Sequence, residues 1–248
     1  MFNISDTSYD NFMGRFSVRL APLFAEFAGI EAGQRVLDVG AGTGALTSEL
    51  VRRGAEAAAV DPSTPFVASL RERLPGVEVH EAPAEELPWP DESFDASLAQ
   101  LVLTFMRDAP AGIAEMQRVV RPGGVVAACM WDQEGMELLA AINRTMHALD
   151  PSRPTPEQLT NYRTRGEIEG LFGDDVEVEL LEVEAGYTGV DEFWDALADG
   201  AGPSGVWMKS LDAAQRERAR EEVFRQLGEP AGPFNLVGRA WAARAMRA

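Results

Sequence analysis

Apolar positions in the first half of the chain switch repeatedly between helical and strand spacing. Over 9–29, Phe12, Phe16, Leu20, Leu23, Phe24 and Phe27 recur at helical intervals, which predicts a helix. Val36, Leu37 and Val39 predict a first strand, and Leu46, Leu50 and Val51 predict a helix over 43–53. Gly54 follows where a helix favours a C′ glycine. The run 57–60 predicts a buried second strand, and Thr64-Pro65 an N-cap and first-turn proline for a helix ending near Leu74. Strands are predicted at 77–80, 95–103 and 125–130, with a helix over 111–120.

The later half is less regular. Leu138, Leu139, Ile142, Met146 and Leu149 predict an amphipathic helix, followed by a Pro-rich loop at 150–156. A helix at 167–172, an alternating strand at 176–181 and a helix opening at 191 come next, then a glycine-rich loop at 200–205. A strongly charged helix over 211–227 and a final strand over 234–243 complete the pattern. Strands alternating with helices predict an α/β fold with a mostly parallel sheet and helices on both faces.

At 248 residues and 46% hydrophobic content the chain has the size of one large domain with a substantial core. We expect one domain over 1–248: an N-terminal helix and ligand-binding core at 1–130, helical inserts at 131–164 and 188–210, and the rest of the sheet and its helices at 165–187 and 211–248. The formal net charge of −18 repels phosphate backbones and anionic membrane surfaces, so neither nucleic acid nor membrane is expected as a partner. No apolar run approaches the roughly 18–20 residues of a membrane-spanning helix, and no basic-then-apolar leader opens the chain, so a cytoplasmic location is expected. Cys129 is the single cysteine, which rules out an intrachain disulfide and a cysteine metal cluster; no metal is expected.

The segment most suited to chemistry is Asp38-Val39-Gly40-Ala41-Gly42-Thr43-Gly44, where the first strand breaks into a glycine turn and a helix. Glycines there accept positive φ and let a ligand lie against backbone. The segment formally satisfies the dinucleotide pattern Gly-x-Gly-x-x-Ala, but Asp38 within the strand is expensive to bury unless it is hydrogen-bonded or faces a polar ligand. Gly44 also comes one step early for that pattern. Asp61 ends the second strand about 20 residues further on, where α/β folds hydrogen-bond a ribose diol. An Asx-turn ahead of the next helix is the alternative role for Asp61.

This stretch resembles motif I of the class I S-adenosylmethionine (SAM)-dependent methyltransferases. The run Ala84-Glu85-Glu86-Leu87-Pro88 ahead of Phe94-Asp95, and Arg121-Pro122-Gly123-Gly124 before the fifth strand, are similar to the same family's pattern. They resemble most its type-11 branch, which includes quinone-biosynthesis enzymes. The resemblance is specific over 9–130. It implies a Rossmann-like seven-stranded sheet ending in an antiparallel hairpin, with a helical lid. It further implies SAM as cofactor, leaving as S-adenosylhomocysteine (SAH), held by Asp38, Gly40, Gly42, Gly44, Asp61 and Pro62, with Gln100 packing beneath it. Tyr9-Asp10-Asn11-Phe12-Met13-Gly14-Arg15-Phe16 resembles a leader that closes over SAM, with Tyr9 on the cofactor and Arg15 at its carboxylate. Pro83 stands where relatives often carry an Asp for adenine, which leaves the backbone of Ala84 and Glu85 for that edge.

Methyl transfer from a sulfonium asks mainly for alignment, and a general base is needed only for a weakly acidic acceptor. Asp132 and His147 are the candidates for such a base. Met136, Met146, Trp194 and Trp207 in the predicted inserts suit an apolar or aromatic small-molecule acceptor. The expected activity is therefore SAM-dependent methylation of a small molecule by a monomer or homodimer. A SAM-binding protein without transfer, and less so an NAD(P)-dependent oxidoreductase, are the alternatives.

Overall fold

The computed structural model describes residues 10–153, 162–173, 175–198 and 202–248. A π-helical turn at Asp10–Gly14 leads into α1 (Arg15–Phe27). Then come β1 (Arg35–Val39), α2 (Ala45–Arg52), β2 (Glu56–Asp61), α3 (Thr64–Arg73), β3 (Glu78–Glu81) and β4 (Phe94–Gln100). A short 3-10 turn, Leu103–Phe105, precedes α4 (Ala109–Val119) and β5 (Val120–Met136). The remaining elements are α5 (Glu137–Leu149), α6 (Arg165–Phe172), β6 (Glu177–Tyr187), α7 (Val190–Ala198), α8 (Gly202–Ser210), α9 (Ala213–Gln226) and β7 (Phe234–Met246).

The seven strands are ordered β3-β2-β1-β4-β5-β7-β6. β3, β2, β1, β4 and β5 pair in parallel, as helical crossovers require. β7 runs the other way: the Gly123 N–H donates to the Arg247 carbonyl and the Arg247 N–H to the Gly124 carbonyl, both at 2.8 Å. Ion pairs Glu182–Arg239 and Glu177–Arg244 descend β6 as they climb β7, the signature of an antiparallel hairpin. The fold is thus the expected Rossmann-like α/β sheet.

Contacts divide the chain into two compact units. The first, Ser17–Trp131, Asn161–Leu181 and Ala240–Ala248, holds the parallel strands. Its core joins Leu37, Val60 and Phe94 to Ile113 and Met116 of α4 and to Ile168 and Phe172 of α6. The ring of Trp89 meets Phe94 edge-on at 5.3 Å, and its indole N–H donates to Glu78. Val67 and Leu70 of α3 pack separately with Ala59 and Val79. The second unit comprises Met1–Phe16, Asp132–Thr160 and Glu182–Arg239. There α5 packs on α9, with Arg144 donating to Gln226 at 3.0 Å. Residues 211–239 therefore group with the residues predicted as inserts.

Some local expectations change. The glycine-rich stretch predicted as a loop begins α8 at Gly202, because Ser204, Trp207 and Met208 supply a buried face. The fourth strand stops at Gln100, since Leu101 turns to φ +63°. Ser63, not Thr64, is the N-cap of α3; the Thr64 hydroxyl is engaged with Glu81 at 2.8 Å. Among the described residues no helix is long and apolar enough to cross a membrane.

Phe94 is 1% exposed, locked between Trp89 and the Arg35 guanidinium. Phe94→Ala is expected to lower stability by about 3–5 kcal/mol in chemical denaturation, the range for deleting a buried aromatic ring. A loss below about 1 kcal/mol would mean that this part of the sheet is not packed as described.

Candidate functional site

In open α/β sheets ligands bind beyond the carboxyl ends of the strands. β1, β2 and β4 bring Asp38 (next to the last residue of β1), Asp61 and Gln100 to that end, and the glycine turn leaves β1 there. All belong to the first unit. The turn is tied to β2 by its own N–H groups. Those of Gly40 and Ala41 donate to the Val60 carbonyl at 2.8 and 3.1 Å, and that of Gly42 donates to Asp61 Oδ2 at 2.9 Å. The other Asp61 oxygen accepts the Ser63 N–H at 2.8 Å, so the Asx-turn weighed for this residue is present as well. Pro62 bridges the two and is exposed.

The glycines differ in what they make possible. Gly40 has φ +72°, and a Cβ there would lie 2.4 Å from the Val102 side chain, so it admits the close approach of the segment after β4. Gly42 has φ +54° and nothing within 4 Å of a Cβ, so its backbone faces open space. Gly44 is the N-cap of α2 and packs against Leu70.

Asp38 is 1% exposed, and its Oδ2 accepts the Thr47 hydroxyl at 2.6 Å. Burial pushes its carboxyl up to about 7; the Thr47 hydrogen bonds pull it down and the nearby Asp61 charge adds to the rise. Burial also raises Asp61, against the N–H groups of Ser63 and Gly42. Gln100 donates its amide to the Ser17 carbonyl at 3.1 Å, while its Oε1 is enclosed and unpartnered. Beside this group Ala84 is buried, and the Glu85 carboxylate accepts the Arg107 and Asp108 N–H groups at 2.6 and 3.0 Å. The Glu85 side chain therefore fixes the start of α4.

Arg15, Asp132 and His147 belong to the second unit. The Arg15 guanidinium donates to the Gly186 carbonyl and to Glu192, both at 2.9 Å, with its Cζ 4.4 Å above the Tyr187 ring. Asp132 accepts the Gly135 N–H at 2.8 Å, and His147 Nδ1 meets the Arg153 carbonyl at 3.0 Å. The Asp132 contact lies within β5, and that of His147 ties the last turn of α5 to the residues after it. Tyr9 lies outside the described residues. Two participants escaped the sequence reading, Thr47 and Val102. A hydroxyl on the buried side of the first helix, one turn past the glycines, was the available signal for Thr47; Val102 carried none.

Comparison with known proteins bears on this group. Residues 37–128 match the methyltransferase domain family. A demethylmenaquinone methyltransferase of Beutenbergia cavernae is 41% identical over 96 residues, 39% of this chain and 40% of that protein. An uncharacterised protein of Mycobacterium bovis is 30% identical over 167 residues, 63% of this chain and 58% of that one. The chain thus spans less than two thirds of the length of these relatives. The fold is also that of a Haemonchus contortus phosphoethanolamine N-methyltransferase, solved with phosphomonomethylethanolamine and S-adenosylhomocysteine. The TM-score is 0.57 at 17% identity, covering 97% of this chain and 59% of that one.

The raised Asp38 fixes the sign of a pH effect. Below about pH 4 the carboxyl is protonated in both folded and unfolded chains and costs nothing. As pH rises from about 4 to about 7 the unfolded chain ionises while the folded chain still holds the proton, so stability falls progressively and levels off once the folded carboxyl ionises. Asp38→Asn keeps an acceptor for Thr47 and removes that cost. Its melting temperature relative to wild type is expected to be higher at pH 8 than at pH 5; an equal difference at both would contradict the raised carboxyl.

Proposed function

We propose, from the match of residues 37–128 to the methyltransferase domain family, that the group around the glycine turn binds SAM and that the protein methylates a small molecule. The observation that carries this reading is electrostatic. A pyrophosphate needs unpaired N–H donors at the turn, but here those of Gly40, Ala41 and Gly42 are taken by Val60 and Asp61. Two carboxylates, Asp38 and Asp61, also face that end of the sheet, and both repel an anion. A neutral sugar diol and a cationic amino acid suit it instead, which disfavours the nicotinamide dinucleotide alternative.

The residues present fit such a ligand. Each Asp61 oxygen accepts one N–H and keeps a lone pair for a ribose hydroxyl. Gly42 leaves backbone open where a ligand lies flat, and the enclosed Gln100 Oε1 awaits a donor. Asp38, ionised, offers a counter-charge to an ammonium. SAM supplies an activated methyl group on a sulfonium. This chain's contribution is to hold and orient, because dispersal of positive charge during transfer calls for alignment more than for acid or base. Neither Asp132 nor His147 is needed as a base in this reading, given their local partners. An apolar or aromatic acceptor is the class that the insert composition and the demethylmenaquinone relative support.

Thermal shifts with SAM, SAH, NAD(H) and NADP(H) test the reading. A specific ligand at about 100 times its Kd adds about 2.7 kcal/mol of stability. SAM and SAH alone are expected to raise the melting temperature. Asp61→Ala is expected to weaken SAH about 10- to 100-fold, as loss of hydrogen bonds to a charged group does. A shift with a nicotinamide cofactor, or an Asp61→Ala variant that folds and binds SAH as wild type, would overturn it.

A further inference from the structure

We propose that Thr47 is a positioning residue for the cofactor: its hydroxyl holds Asp38 as an anion for the ligand's ammonium, and so sets the pH range in which the site fills. The inference rests on the SAM reading and adds a regulatory part to the same site. Thr47 and Asp38 both belong to the first unit. Thr47 lies in the first turn of α2 and is fully buried, and its hydroxyl donates to Asp38 Oδ2 at 2.6 Å. The hydroxyl has forgone the partner that a helical threonine readily takes. Thr145, equally buried in α5, donates to the Ala141 carbonyl four residues back at 2.9 Å. The corresponding carbonyl for Thr47 is that of Thr43, and there the Arg73 guanidinium donates at 3.0 Å.

Packing alone does not call for this hydroxyl, because valine has the same outline and buries no polar group. Its 2.6 Å bond falls in the range of an O–H donating to a carboxylate and is shorter than the usual bond between neutral groups. The groups around Asp38 make that bond decisive. Burial favours the protonated form, and the Asp61 carboxylate of β2 adds to it. The Cys129 thiol of β5 also senses Asp38, but burial keeps that thiol neutral and it supplies no counter-charge. Among the described residues, the hydroxyl and the backbone N–H of Thr47 are what work the other way. As pH falls through about 7, Asp38 takes up a proton and the counter-charge for an ammonium is lost, so ligand binding weakens. Thr47 keeps that midpoint within the neutral range. A valine at this position keeps the backbone N–H, so the exchange subtracts the hydroxyl alone.

The test compares wild type, Thr47→Val and Thr47→Ser as full chains. In the ligand-free proteins the Asp38 carboxyl is titrated by carbon-13 NMR, its signal identified by its loss in Asp38→Asn. Thr47→Val is expected to raise the midpoint by about one pH unit, the low end for a hydrogen bond to a charged group, while Thr47→Ser restores the wild-type value. SAH is then titrated calorimetrically. Thr47→Val is expected to bind it about tenfold more weakly than wild type near pH 6 and within about twofold near pH 8.5. An unmoved midpoint in Thr47→Val, or a loss of affinity by the same factor at both pH values, would reduce Thr47 to a structural residue and overturn the proposal. Wild type that shows the Asp38 midpoint but binds no SAH would overturn the SAM reading and, with it, the part of Thr47 in binding.

Discussion

The Asp61 carboxylate is the joint on which the candidate site depends. One oxygen holds the Gly42 N–H of the turn after β1, and the other holds the Ser63 N–H ahead of α3. With the Val60 carbonyl taking the Gly40 and Ala41 N–H groups, the end of β2 determines the shape of a turn that belongs to another strand. Both anchors are polar bonds in a largely buried place, where an unmade bond is expensive and a made one is directional. The turn is therefore preorganised by protein alone and needs no ligand phosphate to define it.

That joint also sets the site's electrical character. An acidic chain of net charge −18 places two of its carboxylates, Asp38 and Asp61, at the strand ends where ligands enter. Asp38 is nearly fully buried, held by Thr47, and raised to about 7, so it sits at the boundary between neutral and charged. Burying it costs stability that builds up as pH rises from about 4 to about 7, and a cationic ligand group would recover that cost. The position thus favours binding over stability, as functional sites commonly do.

Much of this was legible in the residues. Gly40, Gly42 and Asp38 stand out because a glycine run and a carboxylate interrupt an apolar strand, and Asp61 because it ends the next one. The mostly parallel sheet followed from the alternating pattern, with the terminal antiparallel pair implied by resemblance; the strand order did not. Side-chain pairings across distant segments were not legible, since spacing says nothing of them: Val102 against Gly40, Thr47 onto Asp38, and Arg15 onto Glu192 and Tyr187. The helix at Gly202–Ser210 was hidden because glycine and proline dominate its first turn, while burial of Trp207 and Met208, a tertiary effect, decides its conformation. Leu101 was missed for a similar reason: its left-handed φ is imposed by context, here with its N–H on the Cys129 carbonyl, rather than by its own preference.

The most direct test of the central claim is calorimetric titration of SAH into wild type and Asp38→Asn between pH 6 and 8. If Asp38 ionises to receive the ligand's ammonium, wild-type affinity rises with pH through about 7 and protons are released on binding, while Asp38→Asn binds more weakly with a flat profile. A wild-type affinity independent of pH, or the same slope in both proteins, would contradict the assignment of the glycine turn and its carboxylates to this ligand.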